Sequence, residues 1–265
     1  MTTVQSVIIS IVEGLTEFLP VSSTAHMKIT NPLIGVQIDS FEEMFEVVIQ
    51  LAAILSVVTV YWKKFLDFKS PKFYIKLIIA LIPAIIFGAL LKKHIDSALS
   101  NLTFIACVMI GGGILLLFVD KLFAENNIED EGEISYTKAG IIGCFQVLSI
   151  LLPGLSRSAA TIVGGMSQKL SRSVAAEFSF FLAVPTMFAA SIKSLWDLHK
   201  EQPAVLTDTS NLGTLAIGSV IAYIIALLSI KFFIGYLQKH GFRVFGIYRI
   251  ILGSVVLLLI FRGII

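Results

Sequence analysis

The chain has 265 residues, of which 56 % are hydrophobic and only 14 % charged; its mean hydropathy is +0.90 and its formal net charge +2. This balance excludes a soluble globular domain, and a charge so small, with basic residues at the ends of apolar runs rather than along one face, excludes a nucleic-acid partner. A multi-spanning membrane protein remains, with most of its apolar surface against lipid.

No basic region precedes the first apolar run and no small-residue cleavage site follows it, so the N-terminus reads as mature sequence rather than a signal peptide. The first run, Val4 to Leu19, is too short to span and ends at Pro20; a second short helix, His26 to Ile34, follows it. Segments 42–62, 73–92 and 102–120 then meet the roughly 20-residue length of a span. The acidic segment Glu125 to Glu133 reads as a solvated cytoplasmic loop rather than a metal site. Ala139 to Leu152, ended by Pro153, and Ser156 to Gln168 repeat the short pair, and 172–196, 212–236 and 244–262 are spans again. Proline stops the first helix of each pair because it lacks a donor and forces the preceding residue out of the α region; Ser23 and Ser156 are suited to cap the returning helix. Cys107 and Cys144 lie in apolar runs and read as buried small hydrophobes rather than a disulfide or metal pair.

The two halves are copies. A shift of 133 aligns Glu13 with Gln146, Leu15 with Leu148, Thr16 with Ser149, Leu19 with Leu152, Pro20 with Pro153 and Ser23 with Ser156; a shift of 131 pairs Glu46 with Glu177 and Leu51 with Leu182. Each copy holds a hairpin and three spans, so the second must enter the bilayer upside down. The expected fold is an all-α polytopic membrane protein with inverted-topology repeats, six spanning helices and two re-entrant helical hairpins. It forms one integral membrane domain over 1–265, with repeat 1 at about 1–124 and repeat 2 at about 134–265. Irregular backbone at membrane depth needs protein or a wet cavity around it, so the hairpin tips should meet. With the loop of Lys63, Lys64, Lys69, Lys72 and Lys76 inside, Lys121, Lys138, Lys169, Arg172, Lys231, Lys239 and Arg243 share its side and outnumber the six on the other face. The first hairpin then dips in from the outer face, and Arg157 and Arg249 are left within the membrane.

The chemistry concentrates in EGLTEFLPVSSTAH, residues 13–26, and QVLSILLPGLSRSAAT, residues 146–161. A charge at the centre of a bilayer costs roughly 2.5 kcal/mol or more, so ionisable residues there mark function. Glu13 and Glu17 stand one helical turn apart, a geometry suited to a divalent cation such as Mg2+ or Ca2+; the alternative is one protonated and one hydrogen-bonded carboxyl. Ser22, Ser23, Thr24 and His26 open a helix whose N-terminus favours anions, and the second tip adds another helix start with Arg157, which grips phosphate bidentately or else pairs with Glu13, Glu17 or Glu177. These groups suit phosphoryl transfer. Ser23 attacks with His26 as base and Glu17 orienting the imidazole, or His26 attacks directly, or it activates a water.

The two motifs, with AAEFSFFLAVPT after them, closely resemble the bacterial undecaprenyl pyrophosphate phosphatase family of the bacitracin-resistance type over essentially the whole chain. The resemblance implies hydrolysis of undecaprenyl (C55 polyprenyl) pyrophosphate to undecaprenyl phosphate and inorganic phosphate, recycling the lipid carrier of cell-wall synthesis and conferring bacitracin resistance. It places the glutamate motif on Glu13 and Glu17, the essential histidine on His26, the hydroxyl motif on Ser22, Ser23 and Thr24, and the second motif on Ser156, Arg157, Ser158 and Thr161. It implies a divalent cation, a polyprenyl diphosphate lipid substrate, and residence in the bacterial cell membrane with the site open to the outer face. A homodimer is left open. Ala25 and Ala159 stand where the family commonly has glycine. The runner-up is a polyprenyl-phosphate flippase or secondary transporter, which shares broken helices and a midplane site but needs no nucleophile. An acid-phosphatase-like lipid phosphatase would need a histidine where Val163 stands.

Overall fold

In the computed structural model, which describes residues 1–37, 39–203, 206 and 209–265, the described residues form helices and one short 3-10 turn, Glu131–Glu133. Among the described residues six helices are long and apolar enough to cross a membrane: α3 (Ser40–Val60), α5 (Pro71–Leu90), α7 (Leu102–Leu122), α10 (Arg172–Glu201), α11 (Thr209–His240) and α12 (Arg243–Phe261). They coincide with the six spans read from hydropathy. Between them lie two short amphipathic connectors, α4 (Trp62–Phe65) and α6 (Lys92–Leu99).

The two hairpins are α1 (Thr3–Thr16) with α2 (Ser23–Leu33), and α8 (Tyr136–Leu151) with α9 (Arg157–Ser167). At 1.5 Å per residue none of the four reaches the roughly 30 Å of a hydrocarbon core. Local chemistry sets their starts. Thr2 and Gln5 form a capping box at α1, and Ser135 caps α8 by accepting from the Lys138 amide. At both tips a serine with φ of 74°, Ser22 and Ser156, caps the returning helix through its side chain. The expected cap at Ser23 is therefore corrected by one residue: the second tip holds one more residue after its proline than the first, so Ser22 matches Ser156 and Ser23 matches Arg157. The extra residue is accommodated at Gly154, whose φ of +97° no side-chain-bearing residue adopts without strain.

Packing is reciprocal between halves. Helix α1 lies against α11 while α8 lies against α5, so each hairpin leans on the middle span of the other half. The first spans, α3 and α10, pack on each other, as do the last spans, α7 and α12. This is the pairing expected of two copies around a two-fold axis, and it brings both tips to the centre. There the buried Phe18 of the first tip meets Phe180 edge-on at 5.1 Å, within an aromatic core that includes Phe178, Phe181 and Phe233.

Two expectations need correction. Cys107 and Cys144 are exposed rather than buried, on the outward faces of apolar helices, because an apolar run in a membrane protein faces lipid as readily as core. Nor is the whole acidic segment solvated. Glu131 is buried, paired with Lys64, and Lys76 donates to its carbonyl at 2.8 Å, so this stretch is fastened to the ends of α4 and α5.

Candidate active site

The end of α1 and the start of α2 carry most of the site. Glu17 caps the last turn of α1, its amide donating to the Glu13 carbonyl at 2.9 Å. Across the tip the Ser23 hydroxyl donates to Glu17 Oε2 at 2.6 Å. The other oxygen of the same carboxylate, Oε1, accepts from Arg157 Nη2 at 2.8 Å, and Arg157 Nη1 donates to the Ser179 carbonyl of α10 at 3.2 Å. Glu17 thus joins the two hairpins, with the first tip's hydroxyl on one oxygen and the second tip's cation on the other. The pair is nearly dry, with side-chain exposures of 6 % for Glu17 and 13 % for Arg157. A second bridge supports it: the Ser158 hydroxyl donates to the Leu19 carbonyl at 2.9 Å.

These groups face a cavity of about 140 Å3 lined by Glu17, Ser22, Ser23, Thr24, Gln50, Ser156, Arg157 and Met187. Both returning helices start there, so their unpaired amides and positive dipole ends converge on it and suit an anion of high charge. Thr24 and Ser156 line the wall as expected. Ser158 and Thr161 do not: Ser158 is occupied by the tip-to-tip bond, and Thr161 is fully buried behind the wall, bonded to the Arg157 carbonyl at 2.8 Å and to Ser179 Oγ at 2.6 Å. Thr161 therefore supports the Arg157 backbone, and neither side chain lines the cavity.

His26 is buried on α2 but outside the cavity wall, and Glu17 does not orient it. Its Nδ1 bonds the Ser22 carbonyl at 2.7 Å, and its Nε2 bonds the Tyr248 hydroxyl at 2.7 Å, with the two rings parallel to within 3°. A carbonyl only accepts, so Nδ1 carries the proton, and in the neutral ring Nε2 accepts from tyrosine. Glu13 is fully buried, and both its carboxylate oxygens lack a hydrogen-bond partner. A carboxylate so placed calls for a proton or a cation. Among the described residues no group of three or more His, Cys, Asp or Glu is spaced to hold a metal unaided. Glu13 and Glu17, one helical turn apart at the end of α1, are the carboxylates that could hold a cation here.

Glu46 is set against the first hairpin by Lys28 at 3.7 Å and by Asn31, which donates to it at 2.9 Å. Glu177 instead faces Tyr61 at the end of α3. Sequence reasoning missed Gln50, Met187 and Tyr248 and gave Arg249 no task. Gln50 was visible as a lone amide inside an apolar run; Tyr248 carries no such signal.

Fold and site together define a polytopic helical membrane protein with a buried, anion-directed centre between two proline-broken hairpins. The chain belongs to the family of bacitracin resistance protein BacA, whose family model matches residues 6–255. It is similar to the undecaprenyl-diphosphatase of Porphyromonas gingivalis, 49 % identical over 280 residues covering 100 % of this chain and 99 % of that protein. The undecaprenyl-diphosphatase of Flavobacterium psychrophilum is 50 % identical, covering 98 % and 97 % of the two chains, and that of Bdellovibrio bacteriovorus 40 %, covering 99 % and 98 %.

Proposed function

We propose that the chain hydrolyses undecaprenyl diphosphate to undecaprenyl phosphate and inorganic phosphate, recycling a lipid carrier of cell-wall synthesis and so conferring bacitracin resistance. Membership of the family and the shared name of its relatives support the reaction. The observation that carries the mechanism is the bridge through Glu17, with Ser23 at 2.6 Å on one oxygen and Arg157 at 2.8 Å on the other.

The diphosphate enters between the two helix starts with its tail among the spans, and Ser22, Thr24 and Ser156 bind its oxygens. Arg157 turns from Glu17 to the phosphate, a bidentate partner of higher charge. Glu17, which already accepts from the Ser23 hydroxyl on Oε2, takes its proton. Ser23 Oγ bonds to the distal phosphorus as the bond from that phosphorus to the bridging oxygen breaks, and undecaprenyl phosphate leaves. Water then attacks the phosphoserine: as the bond from phosphorus to Ser23 Oγ breaks, Glu17 returns its proton to Oγ, His26 Nε2 takes the proton that the water loses as the Tyr248 hydroxyl turns aside, and phosphate departs. Glu13, with the Glu17 oxygen that Arg157 vacates, would hold a divalent cation, Mg2+ or Ca2+, whose contribution is to neutralise charge on the phosphate oxygens. All these side chains come from one chain, so a homodimer is not needed for chemistry.

The more numerous basic residues on the α4–α5 loop side support a bacterial cell membrane orientation with the site open to the outer face. A flippase or transporter needs charge at the site but gains nothing from a hydroxyl held on a carboxylate. Phosphate release from C55 diphosphate by the purified protein in detergent, where no gradient exists, tests the reading. Release that stops with chelator supports it, whereas binding without release assigns the protein to transport.

A further inference from the structure

The last span enters the site through two consecutive residues. Arg249 has no exposed surface, and its guanidinium donates to four backbone carbonyls: Pro20 at 3.1 Å on the first tip, Gly154 at 2.8 Å and Leu155 at 2.6 Å on the second, and Met109 of α7 at 3.3 Å. Among the described residues no carboxylate pairs with it. Helix α7 makes room for it at Gly112, where a Cβ would fall 2.3 Å from a guanidinium nitrogen. An unpaired buried charge is costly at membrane depth. Here it joins the two tips whose meeting makes the site, and it adds positive charge behind both helix starts. One residue earlier, Tyr248 donates to His26 Nε2 at 2.7 Å, so the imidazole is held at both nitrogens and in one tautomer.

We propose that Tyr248 and Arg249 are positioning residues of the site: Arg249 sets the spacing of the two hairpin tips, and Tyr248 holds the His26 ring in place from its Nε2 side. The proposal rests on the hydrolytic reading above. An arginine is required because a lysine supplies the charge but cannot span carbonyls on three segments.

The test uses purified full-length Tyr248→Phe and Arg249→Lys proteins with C55 diphosphate. Tyr248 is 43 % exposed, so its variant loses a hydroxyl without opening the core. Tyr248→Phe is expected to keep the wild-type melting temperature and KM while kcat falls about fivefold, the scale of one hydrogen bond. Arg249→Lys is expected to lower kcat about 100-fold, the scale of a roughly 1 Å misplacement, at a smaller change in KM. In 15N spectra of a protein whose His94, His199 and His240 are replaced, His26 should be protonated at Nδ1 alone, and Tyr248→Phe should shift the Nε2 resonance, which loses its hydrogen bond, while Nδ1 keeps the proton. Wild-type kcat in either variant, or an unmoved His26 spectrum in Tyr248→Phe, overturns the proposal. A wild-type protein that releases no phosphate removes the hydrolytic reading instead, and the His26 spectrum still tests the tyrosine's part.

Discussion

The two hairpins have the same backbone and opposite chemistry. Each ends its first helix near a proline, turns through a serine at φ 74° and restarts under that serine's cap. Yet the first presents Glu13, Glu17 and Ser23 where the second has Gln146, Ile150 and Arg157. The buried position kept as a carboxylate in one copy is an amide in the other, and the first residue of the returning helix is a hydroxyl in one and a guanidinium in the other. A duplicated scaffold supplies two helix starts aimed at one cavity, and charge divides the work: one tip holds the acid and the hydroxyl, the other the cation. Neither tip alone has both signs, so the site exists only where they meet.

That division orders the expected effects. Arg157→Ala removes the second tip's charge and should lower kcat/KM in phosphate release by about 1,000-fold, roughly 4 kcal/mol of barrier; an activity within tenfold of wild type would mean that the second hairpin is only structural. Glu13→Gln makes the first hairpin match the second at this position. Gln146 is accommodated buried in the other copy, so the fold should survive while the chelator-sensitive rate falls by about 100-fold, roughly 3 kcal/mol. A loss of melting temperature in proportion to the loss of rate would break the distinction between the copies. Gly154→Ala acts on the one backbone difference. Its positive φ and the 2.6 Å approach of the Ile105 carbonyl to the new Cβ should cost about 1 to 3 kcal/mol in denaturant unfolding. The same change at a symmetric, ordinary turn would cost nothing. Smallest, Ser156→Ala should cost about 1 kcal/mol as a lost helix cap, read by thermal unfolding, with turnover reduced by a few-fold through the loosened tip.

The elements that sequence reasoning placed correctly were those with a local cause. Pro20 and Pro153 mark the breaks, about 20 apolar residues mark each span, and an arginine inside an apolar run marks itself by its cost. What it missed depends on contacts across the fold. Tyr248 lies 222 residues from His26 and is an ordinary aromatic in an apolar helix, and Glu131 becomes buried only because two lysines of other elements reach it. The offset at the tips escaped because aligning the prolines also aligns Ser23 with Ser156, and both are serines. Only the backbone shows that Ser22 is the partner, and hence that Ser23 and Arg157 occupy matching positions. Thr161 was assigned to phosphate by its place in the motif, but its side chain turns back along α9 onto the Arg157 carbonyl, a frequent choice for a hydroxyl within a helix.

The claim on which the rest depends is that Glu17 and Arg157, 140 residues apart, act as one unit across the two tips. A double-mutant cycle on kcat/KM with Glu17→Gln, Arg157→Gln and the double variant measures it directly. The account predicts that the double variant is barely slower than either single one, as for groups that work together. Losses that multiply independently would contradict it.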